Sequence, residues 1–312
     1  MGRYLGQHFL VGKNKLRKIV EALELRSGDT VVEIGSGHGE LTKEIVQLFD
    51  RLDVRRFKII AIEKDRRLVQ ALLRVVVDKR VEVVEGDALA EIKNQLIESD
   101  SRGSAQMRGG LTRIQRAKIK TKDKKLNILK NLKLVGNIPY YITGQLLRII
   151  GESENKPSLV VLTIQKEVAE RLCALRQAQG KPGMNLLSAS VQFWAKPEII
   201  GYISKKYFRP RPKVDSAIIR LRTTDYRLQQ NNNSGSLWSV DGSQYFNFIK
   251  ILFKQPRKTI LNNLLRLPTD YGLQTTAKKE KIVKELQKIG INPNDRPQNL
   301  SIDQLFKLTS IF

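Results

Sequence analysis

Four consecutive residues, Asn137, Ile138, Pro139 and Tyr140, hold the densest chemistry in the chain. An amide oxygen accepts a hydrogen bond from an amine. A proline fixes the backbone so that neighbouring carbonyls can accept as well, and a tyrosine ring stacks on a flat base. Together they suit a planar heterocycle bearing an exocyclic amine. The same four residues also read as a strand that ends in a proline-containing turn.

A second group lies upstream, in Glu33-Ile34-Gly35-Ser36-Gly37-His38-Gly39. Glycines between a strand and a helix let the backbone come close to a ligand. A dinucleotide fingerprint, G-x-G-x-x-G, needs glycine at position 40, where the chain has Glu40. The spacing G-x-G-x-G therefore argues against NAD and fits a nucleoside-type ligand without a pyrophosphate, such as S-adenosylmethionine. Glu63 and Asp87 close the next two apolar runs. An acid at the first place can bind ribose hydroxyls, and one at the second can accept from an adenine amine. Each acid alone also reads as a carboxylate favoured by a helix dipole. Three successive strand ends carrying Gly, Glu and Asp make a cofactor pocket the better account.

The elements that must position these groups follow from apolar periodicity. Leu16, Ile19, Val20 and Leu23 form one stripe, which predicts a helix over Lys13 to Leu25. Strands are expected at Thr30–Ile34, Lys58–Ile62, Val81–Val84, Leu132–Val135 and Ser158–Ile164, with helices between them. Such alternation predicts a parallel sheet covered by helices, with ligands at the carboxyl ends of the strands. Glu198–Ser204 and Ser216–Leu221 are expected to pair at the sheet edge. After residue 242 the pattern is helical only, over Tyr245–Phe253, Thr259–Leu265, Thr276–Ile289 and Ile302–Ser310. The expected division is a Rossmann-like domain over 1–224, a linker over 225–242 rich in Asn, Ser and Gly, and a small all-helical domain over 243–312. Residues 99–127 interrupt the first domain. From Arg102 to Lys125 there are nine basic residues and one Asp, read as a basic insertion.

The chain has 312 residues, with 56 Lys and Arg against 31 Asp and Glu, a formal net charge of +25. An excess of that size points to a polyanion, either nucleic acid or an anionic membrane surface. No apolar run reaches the length of a membrane span and no signal-peptide core follows the start, so RNA or DNA is the expected partner. The single cysteine, Cys173, allows no disulfide within the chain and suits a reducing cytoplasm. His8 and His38 lack metal-ligand spacing, and no metal site is expected.

With these residues assembled, the chain resembles the rRNA adenine N6-dimethyltransferases. The resemblance runs along nearly all of it except the 99–127 insertion. Gly6-Gln7-His8-Phe9-Leu10 is similar to that family's G-Q-N-F-L motif, the glycine segment to its cofactor loop, and Asn137 to Tyr140 to its catalytic motif. Gln165 to Leu172 resembles Q-K-E-V-A-x-R-L, and Phe208 to Ala217 resembles F-x-P-x-P-K-V-D-S-A.

The resemblance implies a class I S-adenosylmethionine-dependent methyltransferase fold with a helical C-terminal domain for RNA recognition. It implies cofactor contacts at His8, Leu10, Gly35, Gly37, Glu63, Asp87 and Asn137. It also implies a target adenine clasped by Asn137, Ile138, Pro139 and Tyr140, with Phe208 as a second aromatic near the base. A core role for Phe208 stays open at this point. The expected activity is dimethylation of two adjacent adenines in a hairpin loop near the 3′ end of small-subunit (16S) rRNA, by a cytoplasmic monomer acting in ribosome biogenesis. Ser36 and Ile138 are also seen in the large-subunit branch, which modifies 23S rRNA and confers macrolide-type resistance. The longer matches, including Arg257-Lys258-Thr259 and Arg296 to Ser301, favour the small-subunit branch. A non-catalytic RNA-binding assembly factor on the same fold is the rival of a different class.

Overall fold

The computed structural model describes residues 7–97, 131–173, 183–224, 241–267 and 275–312. The expected insertion at 99–127 and nearly all of the expected linker at 225–242 lie outside the described residues. The chain divides into two units, residues 1–166 with 200–223, and residues 167–199 with 224–312.

The first unit is built on a sheet. A short strand β1 (Phe9–Leu10) leads into helix α1 (Lys13–Glu21), followed by β2 (Thr30–Ile34), α2 (Glu40–Arg51), β3 (Lys58–Glu63), α3 (Arg66–Val75), β4 (Val81–Glu85) and α4 (Ala88–Ile97). Then come β5 (Leu132–Asn137), α5 (Thr143–Glu152) and β6 (Leu159–Gln165); after α6 (Lys166–Leu172) and α7 (Leu186–Trp194), which fall in residues 167–199 of the second unit but for Lys166, the chain continues with β7 (Ala195–Ile203), β8 (Phe208–Arg209) and β9 (Ser216–Thr223). The large sheet has the order β4-β3-β2-β5-β6-β9-β7. Strands β2 to β6 run parallel, and β9 pairs antiparallel with β6. Helix-covered parallel strands are buried on both faces, which is why β2 reads Thr-Val-Val-Glu-Ile with every residue buried.

The order reverses at β2, between β3 on one side and β5 on the other, and that crevice is where open sheets bind ligands. Gly136 makes the crevice narrow. A side chain there would put its Cβ 2.7 Å from the carbonyl oxygen of Ile34, so only glycine lets the end of β5 lie against β2. Asn137 is thereby brought beside the glycine loop. Beside this crevice, β1 and β8 form a separate two-stranded ribbon with Phe9 opposite Arg209 and Leu10 opposite Phe208.

The first helix is shorter than its apolar stripe predicts. It ends at Glu21, and Glu24 takes a left-handed backbone conformation, φ 48°. Tertiary bonds fix that turn. The Glu24 carbonyl accepts from Lys133 Nζ at 2.6 Å, and its carboxylate holds Arg220 and Arg222, each at 2.6 Å. Helix propensity of a few tenths of a kcal/mol per residue yields to two such pairs.

In the second unit, α8 (Gly242–Leu252), α9 (Ile260–Leu264), α10 (Thr275–Lys288) and α11 (Ile302–Ile311) follow the helical pattern. A boundary near residue 224 was expected, but residues 167–199 group with these helices. The reason is an aromatic stack. Phe193 of α7 lies 4.4 Å from Tyr245 and 5.6 Å from Phe306, and the buried Tyr245 hydroxyl donates to the Ala189 carbonyl at 3.1 Å. Helix α7 has no helical periodic signal because its polar residues Ser188, Ser190 and Gln192 fall at every second position. Its start is set by Asn185, whose side chain accepts from Ser188 N.

Candidate functional site: a cofactor crevice and a base clasp

Two adjoining cavities lie at the carboxyl ends of β2 to β5. The larger, about 440 Å3, has Gly35, Glu63, Lys64, Asp87, Pro139 and Tyr141 among its walls. The smaller, about 60 Å3, has His8, Leu10, Glu33, Gly37, Glu63 and Asn137 among its walls. All seven residues expected at a cofactor line one or both cavities, and Gly35 and Glu63 are shared.

The glycine loop is shaped by backbone needs. Gly35 has φ 70° and a Cβ there would meet nothing within 4 Å, so its open side faces space that a side chain would fill. Gly37 has φ 58° and lies under the Phe9 ring, whose edge would be 3.0 Å from an added Cβ. Phe9 also packs 4.7 Å from the His38 ring, so β1 covers the loop from above.

The acids differ in how they are held. Glu63 is 3% exposed and accepts three main-chain N–H groups, from Gly37, Lys64 and Asp65, each at 2.9 Å. A carboxylate offers about four lone-pair sites, so one remains for a ligand hydroxyl, and a grip on two requires one of those N–H groups to be released. Asp87 accepts from Leu89 N at 3.0 Å with one oxygen and from Lys64 Nζ at 2.8 Å with the other. The Lys64 ammonium holds the Asp87 carboxyl below its ordinary value. Lys64 and Tyr141, the latter 70% exposed, stand at the larger cavity without having been singled out by motif. Their signal was adjacency, one position after Glu63 and one after Tyr140.

Glu33 was read only as the acid before the glycines. It is 1% exposed, accepts a short bond from Thr42 Oγ1, and lines the smaller cavity. Burial pushes its carboxyl up to about 8. No cation pairs with Glu33 or Glu63 among the described residues.

At the clasp, Asn137 Nδ2 donates to the His8 carbonyl at 2.7 Å. One of its two amide N–H groups is thereby spent on the protein, and Oδ1 is left as an acceptor. Ile138 is 2% exposed, and its side chain belongs to the core. Pro139 lines both cavities, and its carbonyl accepts from Ile142 N in the turn that follows. The Tyr140 ring is half-buried, its hydroxyl 2.8 Å from Ser216 Oγ and its ring 5.9 Å from that of His8. Burial raises the Tyr140 phenol above its ordinary value.

Phe208 departs from the expectation of a base-stacking aromatic. It is 1% exposed and belongs to an apolar cluster with Leu10, Leu16 and Ile203. Its backbone pairs with Leu10 in the ribbon, which turns the ring into the core beneath the clasp. The structure therefore assigns it to packing.

A family model described as "Ribosomal RNA adenine dimethylase" matches residues 2–312. The chain belongs to that family. It is an rRNA adenine dimethyltransferase, and S-adenosylmethionine is its methyl donor. The ribosomal RNA small subunit methyltransferase A of Mycoplasma capricolum is 30% identical over 99% of this chain and 96% of its own length. The protein of the same name from Lactobacillus helveticus is 32% identical over 97% of this chain and 88% of its own.

Among solved structures, a dimethyladenosine transferase from Plasmodium falciparum aligns with TM-score 0.66 at 22% identity, covering 96% of each chain. The 23S rRNA methyltransferase ErmE aligns with TM-score 0.61 at 20% identity, over 96% of this chain and 98% of that one. Both likenesses concern the fold, a Rossmann-like class I methyltransferase.

The crevice suits this cofactor on its own chemistry. Glu63, buried without a cation, favours a ligand carrying positive charge, Asp87 can accept from an adenine amine, and the open side of Gly35 leaves room between them. No helix among the described residues is long and apolar enough to cross a membrane.

Proposed function

We propose that this chain N6-dimethylates two adjacent adenines in a hairpin loop near the 3′ end of small-subunit rRNA, working as a cytoplasmic monomer during assembly of that subunit. The names of the Mycoplasma and Lactobacillus relatives support the choice of subunit. The observation that carries the chemistry is the orientation of Asn137, whose Nδ2 is committed to the His8 carbonyl and whose Oδ1 is free to accept.

The exocyclic amine of adenine is a weak nucleophile because its lone pair is delocalised into the ring. Two N–H groups donating to Asn137 Oδ1 and to a main-chain carbonyl, that of Ile138, draw the pair back onto nitrogen. Pro139 fixes the backbone that presents this carbonyl. The Tyr140 ring, tied down through Ser216, offers a stacking face for an unstacked base. When bound, S-adenosylmethionine supplies a methyl group that needs no activation by the protein. The rate enhancement then comes from positioning and fixed dipoles, with no acid–base pair. His8, Leu10, Gly35, Gly37, Glu63, Asp87 and Asn137 hold the cofactor in this reading. Release and rebinding of the singly methylated amine allows a second transfer. The helical C-terminal unit contributes RNA recognition, with Lys254, Arg257 and Lys258 exposed on one loop.

The test is methyl transfer to small ribosomal particles from a strain lacking the modification, with the products mapped. Two adjacent dimethyladenosines in small-subunit RNA are expected. Modification of large-subunit RNA instead would overturn the choice of subunit. Retained RNA binding with no transfer would favour the assembly-factor reading.

A further inference from the structure

Several cations near the sheet have acidic partners, whereas a cluster beside the clasp does not. Arg80 pairs with Asp50 and Asp78, Arg17 and Arg51 with Glu44, Lys58 with Glu82, and Lys133 with Asp29. In the loop around β8, by contrast, Lys205, Lys206, Arg209, Arg211 and Lys213 meet no carboxylate side chain among the described residues, nor does Lys15 of α1 beside them.

Neutral groups hold these side chains instead. Lys205 Nζ donates to the Lys213 carbonyl at 3.2 Å, and Arg209 Nη1 donates to the carbonyls of Lys206 and Phe208 at 3.0 and 2.9 Å. Lys15 Nζ donates to the Tyr202 carbonyl at 3.4 Å, and Lys15 and Lys206 lie 5.6 and 5.4 Å from the centre of the Tyr207 ring. Gly12 admits that ring, since an added Cβ would be 3.0 Å from it. Lys15, Lys205, Lys206 and Arg209 are thus steadied without being neutralised. Asp215, the nearby acid, spends Oδ1 on Lys205 N.

The loop is joined to the clasp by two bonds. His8 Nδ1 lies 2.7 Å from the Pro210 carbonyl, and the His8 carbonyl accepts from Asn137. We propose that the β8 loop, with the start of α1, is a track for the RNA backbone that grips phosphates flanking the target adenine. Unneutralised cations beside a base pocket lower the potential energy of a polyanion where a flipped base must enter, and each phosphate held releases counterions. This inference rests on the RNA methylation proposed above.

The test compares two triple variants of the full chain. Arg209→Ala/Arg211→Ala/Lys213→Ala removes three track cations. Arg66→Ala/Arg74→Ala/Lys79→Ala removes three exposed cations on α3 and the turn after it, with the same change in net charge. The probe is a short RNA hairpin with two adjacent loop adenines, and affinity is measured across salt concentrations. The track variant should bind about tenfold or more weakly at low salt and lower the log–log salt slope by roughly 2, at about 0.7 per phosphate contact. The α3 variant should stay near wild type. Both should keep wild-type affinity for S-adenosylhomocysteine.

Equal losses in the two variants, or no loss in the track variant, would overturn the track. If the wild type methylates the particles in that case, the function proposed above still stands. A wild type that neither binds nor methylates RNA would overturn both. Should the track triple fail to fold, Arg211→Glu against Arg74→Glu makes the same comparison, and equal affinities would again exclude the track.

Discussion

The two ends of the central sheet handle charge in opposite ways. At the amino ends of the parallel strands, Lys133 is buried against Asp29 at 2.8 Å and the Glu24 carbonyl, and Glu24 binds Arg220 and Arg222. Register places these residues together, since Lys133 faces Leu159 and Leu159 faces Arg222. At the carboxyl ends Asp87 is matched by Lys64, but other ionisable groups have no partner of opposite sign. Glu33 and Glu63 are buried without a cation, and the β8 loop carries cations without an acid. Matched charge serves the fold. Glu33 avoids the cost of a buried charge by staying protonated, and Glu63 offsets it by accepting three main-chain N–H groups.

The largest expected effect on this contrast comes from Glu33. Its carboxyl rises from 4.5 to about 8 in the folded chain. The folded state therefore gains from the protonated form, fully so below pH about 4.5, and loses that gain as pH rises through about 8. The loss is on the order of 5 kcal/mol at its upper limit. Glu33→Gln, which imitates the protonated acid, should flatten this part of the stability profile in denaturant titrations at pH 5, 7 and 9. An unchanged slope would mean that Glu33 is not held neutral.

Next is the matched end. Lys133→Ala leaves Asp29 buried without its partner and should destabilise the chain by about 3–5 kcal/mol, with affinity for S-adenosylhomocysteine intact in the folded fraction. A stable variant with weakened cofactor binding would reverse the contrast.

At the unmatched end, Asn137→Ala should cut methyl transfer by about 10²–10³-fold, as removal of an oriented polar group from a reacting centre does, with RNA affinity largely kept. Near-normal turnover would remove Asn137 from the chemistry. Smallest is Tyr140. Tyr140→Ala should weaken the hold on the base by about 1–3 kcal/mol, whereas Tyr140→Phe keeps the ring and gives up only the Ser216 bond, about 0.5–1.5 kcal/mol. Equal impairment in the two would mean that the hydroxyl, and not stacking, matters.

The strand ends were legible because their signals are local. An apolar run, then Gly, Glu, Asp or Asn, names both the element and the position where its ligand group stands, and all seven expected cofactor residues meet in two adjoining cavities. Phe208 was not legible, because an aromatic beside a functional motif looks the same whether its ring faces a ligand or the core. The strand partner decides, and Leu10 lies nearly two hundred residues away in sequence. The early end of α1 was hidden for the same reason, since Glu24 turns to meet arginines on the last strand. Helix α7 escapes a sequence reading because Ser188, Ser190 and Gln192 alternate with apolar residues, a spacing that hides the helical period.

By itself, the sequence determined the sheet, the order of its functional strand ends, the family and the excess of positive charge, all of which are written in spacing and composition. Tertiary structure decided which amide atom of Asn137 is free, which acids stay unpaired, and which cations of the +25 total lack partners. Those are properties of pairs. Composition counts charges, but only folding brings each one to, or keeps it from, its opposite.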